Sequence, residues 1–267
     1  LGDVYKRQFL NNTITKMLLQ GKNSIITGAR SGIGFATVQL FAQQGCNCWA
    51  VVHREDNSWL DKIYKLEKTH NVWIKPVYID LSNEESIKEG MKSIIQEKLP
   101  IDILVNAAGI VSPNRLFTMT KMDDIRRIME VNFFSVLSLC QLVARSMMRQ
   151  RKGAIVNISS ISAWGEDTSQ LEYAASKSAI NIVTKKMARE FGGYGIRVNA
   201  VAPGLTETKM LSALEQDAVN EILRGVALKR CAKPEEIAEV IMFLASDRSS
   251  SVSYTHLRAH ETLRHLV

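Results

Sequence analysis

Tyr173 and Lys177 stand four residues apart in the stretch "LEYAASKSAI", with only alanine and serine between them. In a helix that spacing puts both side chains on one face, with Cβ atoms about 5 to 6 Å apart, so a phenol and an ammonium address one point. A free phenol ionises near pH 10 and works as an acid or base at neutrality only if that value falls by about three, roughly 4 kcal/mol. The attraction between unit charges about 4 Å apart has that size at an effective dielectric of about 20, so the lysine can supply much of the change. The pair alone also recurs on many solvated helices. Two further residues strengthen it. Ser160 closes "NISS" thirteen residues before Tyr173, where its hydroxyl can hold a substrate carbonyl or hydroxyl. Asn132 in "MEVNFFS" is a polar residue in a mostly apolar helical stretch, better explained by a buried water or backbone contact than by solvent.

A second group of residues suits a phosphate. "TGARSGIG" holds Gly28, Arg30, Ser31, Gly32, Ile33 and Gly34 between the apolar run "SIITGA" and the helical segment "FATVQLFAQQG". Glycines at a strand-to-helix turn permit positive φ and let the backbone approach a pyrophosphate, whose charge the helix N-terminus favours. A plain tight turn is the simpler alternative, but a second strand follows at the distance a dinucleotide site requires. At the end of that strand an NAD site places an acid on the ribose 2′-OH. Here Val52 is followed by His53 and Arg54. Nothing at that point repels a 2′-phosphate, and Arg54 with Arg30 can bind one through charge-assisted hydrogen bonds, so NADP(H) is favoured over NAD(H). Glu55 and Asp56 come next and weigh against this.

These groups need a scaffold that ends strands beside one another. Short β-branched runs ("SIITGA", "CWAVVH", "VWIKPVYI", "IDILVNAAG", "GAIVNISS", "GIRVNAVAPG") alternate with amphipathic stretches at 57–69, 83–97, 122–151 and 170–192. Such alternation predicts an α/β fold, one doubly wound parallel sheet with helices on both faces. The length of 267 residues and 46% hydrophobic composition suit one such domain. There is no run of about 18 apolar residues and no signal-peptide pattern, so a cytoplasmic, membrane-free protein is expected. Four scattered cysteines give no disulfide framework, and Cys46 and Cys48 should lie on one buried face of a strand as free thiols. The net charge of +7 is spread without a basic block, and part of it lies at the two ends, which argues against nucleic acid.

The ends break the pattern. "LGDVYKRQ" and "SVSYTHLRAHETLRHLV" resemble translated adapter sequence, so the expected domain is 17–251, with 1–16 and 252–267 as irregular or non-native tails. His256 and His260 have the spacing of a helical metal site, but no carboxylate or cysteine joins them and no metal is expected.

Taken together, "TGARSGIG", "NAAG" (106–109), Asn132, Ser160, "YAASK" and "PGLTET" (203–208) resemble the short-chain dehydrogenase/reductase family in order and spacing, over about residues 20–250. The resemblance implies a Rossmann-like fold. It makes Tyr173 the general acid/base, Lys177 the residue that lowers its pKa and holds the nicotinamide ribose, Ser160 the substrate polariser, and Asn132 the holder of a relay water. It also places Asp80, with Leu81, at the adenine, Asn106, Ala107, Ala108 and Gly109 along the adenosine ribose, and Pro203, Gly204, Thr206 and Thr208 around the nicotinamide. Ala107 and Thr206 depart from the commoner residues at their positions. A larger departure follows "FLASDRSS", where relatives continue into a last strand; a sheet lacking its seventh strand, or one poorly filled by the tail, is expected.

Within the family the likeness is nearest to the 3-oxoacyl-acyl-carrier-protein reductases, which implies a 3-keto thioester substrate and an acidic carrier partner met by Arg151. Tyr194 stands where a second arginine is expected. A reductase of a sugar or other small ketone is the rival within the family, and a silent nucleotide-binding protein the rival outside it. Residues 209–230 should cover the pocket, with Met210, Leu211, Leu214, Ile222 and Leu223 suiting an acyl chain or ordinary helix packing. Phe134, Leu137, Val143, Ala174, Ser178, Ala179 and Ile182 are candidates for a homodimer or homotetramer contact.

Overall fold

The computed structural model describes residues 17–113, 115–165, 170–211, 216–253 and 256–259. Six apolar runs form β1 (Asn23–Thr27), β2 (Asn47–Val52), β3 (Ile74–Tyr78), β4 (Ile103–Asn106), β5 (Gly153–Ile158) and β6 (Ile196–Pro203). Between them come α1 (Gly32–Gln43), α2 (Asn57–His70), α3 (Glu84–Gln96), α4 (Met122–Met129), a π turn (Glu130–Phe134), α5 (Ser135–Gln150) and α6 (Leu171–Phe191), followed by α7 (Gln216–Gly225) and α8 (Pro234–Ala245). All strand pairs are parallel, in the order β3-β2-β1-β4-β5-β6, with a further strand, β7 (His256–Ala259), beside β6. Pro76 lies in β3, an edge strand, where its missing N–H removes no bond from the sheet interior.

Successive strand residues point to opposite faces, and the core divides accordingly. Ile26, Cys48, Ala50, Val105 and Val156 pack under Val38 and Phe41 of α1, Trp59 and Ile63 of α2, and Ile237 and Ile241 of α8. Ile25, Trp49, Val51, Leu104 and Ile155 pack under Met91 of α3, Leu139 and Val143 of α5, and Ile180 and Met187 of α6. Cys46 and Cys48 fall in the same layer as free buried thiols, as alternation predicts. The helical run Met122–Gln150 is long and apolar enough by composition to cross a membrane, but half of its most apolar 18-residue window is buried within the fold, which explains its apolar residues. Val143 belongs to that buried set, so it is not free for a subunit contact, whereas Phe134 and Ile182 are 48% and 56% exposed.

The expected loss of the seventh strand is not what the structure has. Residues His256–Ala259 form β7, which pairs parallel with β6 from Ala200↔His256 to Pro203↔Ala259. Pairing uses backbone N–H and C=O groups, which "HLRA" has like any proline-free segment, and β6 would otherwise present an open edge. The side-chain pattern of the tail carries no strand signal, so the sequence pointed the wrong way. His256 consequently sits in a strand, where helical i, i+4 spacing does not apply; His260 lies outside the described residues.

Candidate active site

The sheet's winding reverses at β1, which is flanked by β2 and β4, the point where sheets of this kind form a ligand crevice beyond the strands' C-terminal ends. On one side of it lies the glycine turn. Gly28 has φ +67°, and a Cβ there would sit 2.9 Å from the Ala108 backbone; one at Gly34 would sit 2.3 Å from the Gly28 carbonyl oxygen. The turn is thus folded on itself and pressed against the "NAAG" segment, and Thr27 Oγ1 accepts a bond from Ala108 N at 3.0 Å. Ser31 leads into α1 with extended backbone and no side-chain cap bond, and the first turn of α1 contains no acid. Its N–H groups are left for an anion, and the pyrophosphate of a dinucleotide fits this cradle. Ile33 carries its carbonyl to Thr37 Oγ1 at 2.8 Å and packs on the core. A Cβ at Gly32 would meet Thr208 Cγ2 at 3.1 Å, so the loop of Pro203, Gly204, Thr206 and Thr208 reaches the same turn. Thr206 in turn bridges to Ala232, so the residues flanking the 209–230 segment lie side by side; Leu214 of that segment lies outside the described residues.

Further along this side, His53 and Arg54 are exposed after β2, and His53 Nδ1 stands 3.9 Å from Asp80 Oδ1. Asp80 accepts from the Ser82 hydroxyl at 2.7 Å and the Ser82 backbone N–H at 2.9 Å, which hold its carboxyl below the usual range. Leu81 is half-buried beside it. Arg30 does not stand free: its guanidinium meets Asp56 Oδ2 at 2.7 Å. Asn106 differs from expectation. Its side chain, 2% exposed, turns inward to Asn157 Oδ1 at 2.8 Å and Cys140 Sγ at 3.4 Å, because an amide on a buried strand end must find its partners inside. Ala107, Ala108 and Gly109, which follow it, are half-buried.

The reacting groups meet on the other side. A Cβ at Gly109 would lie 3.5 Å from both Asn132 Oδ1 and Lys177 Nζ, so these three converge. Asn132, in the π turn, brackets Ile110, accepting from its N–H at 2.8 Å and donating to its carbonyl at 2.9 Å. It thereby makes the backbone contact expected of a polar residue in that helix, and Ser176 Oγ lies 3.3 Å from its Nδ2. Lys177 is 4% exposed; its Nζ donates to Ile158 O at 2.7 Å and stands 5.7 Å from the centre of the Tyr173 ring. Ser160 caps a short 3₁₀ turn through Ser162 N, and its side chain lies close enough to Tyr173 to favour the phenolate. Burial raises the Tyr173 phenol above its ordinary pKa, against the influence of Ser160, and pushes the Lys177 ammonium down to about 8. Both shifts have one cause, burial, which disfavours the charged form of each group.

Several contributors escaped the sequence reading. Asn157 Nδ2 continues the inward network to Thr184 Oγ1 at 2.9 Å. Glu172, fully buried beside Tyr173, accepts from Ser112 Oγ, and its second oxygen is buried without a hydrogen-bond partner among the described residues. Trp59 and Asp56, at the start of α2, hold Ala29 and Arg30. Asn157, like Asn132, is a polar residue inside an apolar element, and that is the signal the sequence carries for it. A cavity of about 380 Å³ lined by Lys22, Asp102, Lys152 and Arg197 lies at the opposite ends of the strands, away from these groups.

The chain is similar to known proteins over most of its length. A family described as enoyl-(acyl carrier protein) reductase matches residues 28–259. The 3-oxoacyl-[acyl-carrier-protein] reductase FabG of Thermotoga maritima is 41% identical over 237 residues, covering 89% of this chain and 95% of that protein. A 3alpha-hydroxysteroid dehydrogenase of Mediterraneibacter gnavus is 35% identical over 240 residues, covering 89% and 94%. Among solved structures, one described as an NAD(P)-dependent gluconate 5-dehydrogenase from Beutenbergia cavernae, with NADP bound at low occupancy, superposes with TM-score 0.85 at 28% identity over 91% of this chain and 96% of that one. Levodione reductase superposes with TM-score 0.86 at 27% identity, over 91% and 97%. With the glycine cradle, the convergent Ser160, Tyr173 and Lys177, and relatives matched over nearly their whole length, the chain belongs to the short-chain dehydrogenase/reductase family of oxidoreductases.

Proposed function

We propose that this protein is an NADP(H)-dependent reductase of 3-oxoacyl thioesters carried on acyl carrier protein, a step of fatty-acid synthesis. The observation that carries the reading is the convergence of Asn132 and Lys177 on Gly109, next to Tyr173 and across the crevice from an anion cradle. The 41% identity to a FabG reductase favours the thioester. When bound, the nicotinamide supplies the hydride that reaches the carbonyl carbon. Tyr173 gives its phenolic proton to the carbonyl oxygen, and Ser160 donates a hydrogen bond to that oxygen, holding it in line. Lys177, with a pKa of about 8, is still about nine-tenths protonated at pH 7 and favours the phenolate left behind. Asn132 keeps Ile110 fixed beside it and, in this reading, holds the water through which Tyr173 is reprotonated.

Arg30 and Arg54 near the end of β2 support a preference for NADP(H). Arg151, stacked 5.5 Å over the Tyr194 ring and bonded to Gly193 O at 3.1 Å, is the basic group offered to an acidic carrier. We assign the protein to the cytoplasm, as a homodimer or homotetramer joined through the exposed Phe134 and Ile182. A second reading, reduction of a sugar or other small ketone, is favoured by the gluconate dehydrogenase and levodione reductase superpositions. Turnover of acetoacetyl thioester against a ketone panel, each with NADPH and with NADH, decides. A thioester kcat/KM at least tenfold above every ketone is expected, and the reverse order abandons the carrier-protein reading.

A further inference from the structure

The start of α2 grips the phosphate turn at two adjacent residues. Trp59 Nε1 donates to Ala29 O at 3.0 Å in a buried bond, and Asp56 Oδ2 meets Arg30 at 2.7 Å. Asp56 makes this contact while capping α2: its Oδ1 accepts from Ser58 Oγ at 2.8 Å and from Trp59 N at 3.2 Å. The carboxylate is therefore fixed by three donors and is not a mobile surface acid. The Arg30 side chain remains 39% exposed, so part of its fork faces outward from the turn.

We propose that Asp56 is a specificity-determining residue for the dinucleotide: it holds Arg30 beside the end of β2 and partly neutralises it, tempering the preference for a 2′-phosphate. The inference rests on the NADP(H) reading above. A 2′-phosphate carries a charge near −2 and feels both members of the pair, whereas a 2′-hydroxyl is uncharged and feels neither strongly. Arg30 donors engaged by Asp56 are also withdrawn from the phosphate. Asp56 thus discriminates by charge, while its capping duty is independent of charge, because asparagine caps a helix as well as aspartate does.

Asp56→Asn separates the two. Dissociation constants of NADPH and NADH, measured by calorimetry on the full chain, should show NADPH binding about tenfold tighter in the variant, with NADH changed less than about twofold. Melting temperature monitors the fold, and Asp56→Ser, another good cap, repeats the measurement if the first variant is unstable. An unchanged ratio, or weaker NADPH binding because Arg30 loses its anchor, overturns the inference. The wild-type ratio separately tests the NADP(H) reading: tighter NADH binding by the unaltered chain defeats that reading, while the direction of the change on Asp56→Asn still decides the role of Asp56.

Discussion

The two sides of the crevice are built from different materials. On the side of the glycine turn, the polar groups are backbone N–H donors and exposed or half-exposed charges: the Gly28–Gly34 turn, Arg30, Arg54, Asp56 and Asp80. On the reacting side they are buried polar groups tied to one another: Asn132 to Ile110 and Ser176, Lys177 to Ile158 O, and Asn106 to Asn157 and on to Thr184. An exposed charge can change with little penalty and shifts affinity by degrees, while a buried polar group leaves an unpaired partner when removed. Substitutions should therefore grade binding on one side and switch chemistry or stability on the other.

The largest effect expected is on turnover. Tyr173→Phe should lower kcat about 10³-fold while NADPH affinity stays within about twofold; a tenfold loss of binding would dissolve the division between the two sides. Gly34→Ala tests the rigid part of the glycine-turn side. Its Cβ would fall 2.3 Å from the Gly28 carbonyl, a backbone obstacle that cannot rotate away, so unfolding free energy from urea melts should drop by about 4 kcal/mol, with dinucleotide binding lost.

Lys177→Met probes the buried side through pH. The folded protein lowers this ammonium from 10.5 to about 8, so the unfolded chain holds more proton between those values. Wild-type stability relative to the variant should then rise by roughly 3 kcal/mol as pH climbs from about 8 towards 10.5, and stay flat below about pH 7. A difference that falls with pH would show the lysine held by an anion instead of desolvated. Smallest is Trp59→Phe, which leaves the buried Ala29 carbonyl unpaired: about 1.5 kcal/mol of stability, and weaker binding of NADPH and NADH alike.

Much of the fold and of the site could be read from the sequence because local signals and global arrangement agree there. The glycine turn, the Tyr173–Lys177 spacing and the alternation of strand residues each depend on neighbours in the chain, and each is found where expected. What escaped depends on neighbours far away. Asn106 turns inward because Asn157 and Cys140, on other elements, await it. Lys177 is desolvated by its surroundings, which no spacing rule contains. Arg30 meets Asp56 across the gap between the turn and α2, so a residue weighed as a contrary charge belongs to the same cluster. β7 escaped for another reason, since backbone pairing leaves no mark in side-chain pattern.

The π turn at Glu130–Phe134 has a bearing on how this helix can change over evolutionary time. A π turn holds one residue more than the α-helix it interrupts, and each helical residue rotates the next by about 100°. Deleting one residue of that turn would restore regular winding and leave Leu139, Val143 and Met147 facing the sheet, while removing the wide turn that aims Asn132. The extra residue is thus absorbed locally: it changes what one turn presents, Asn132 to Ile110, and leaves the packing of the helix after it undisturbed.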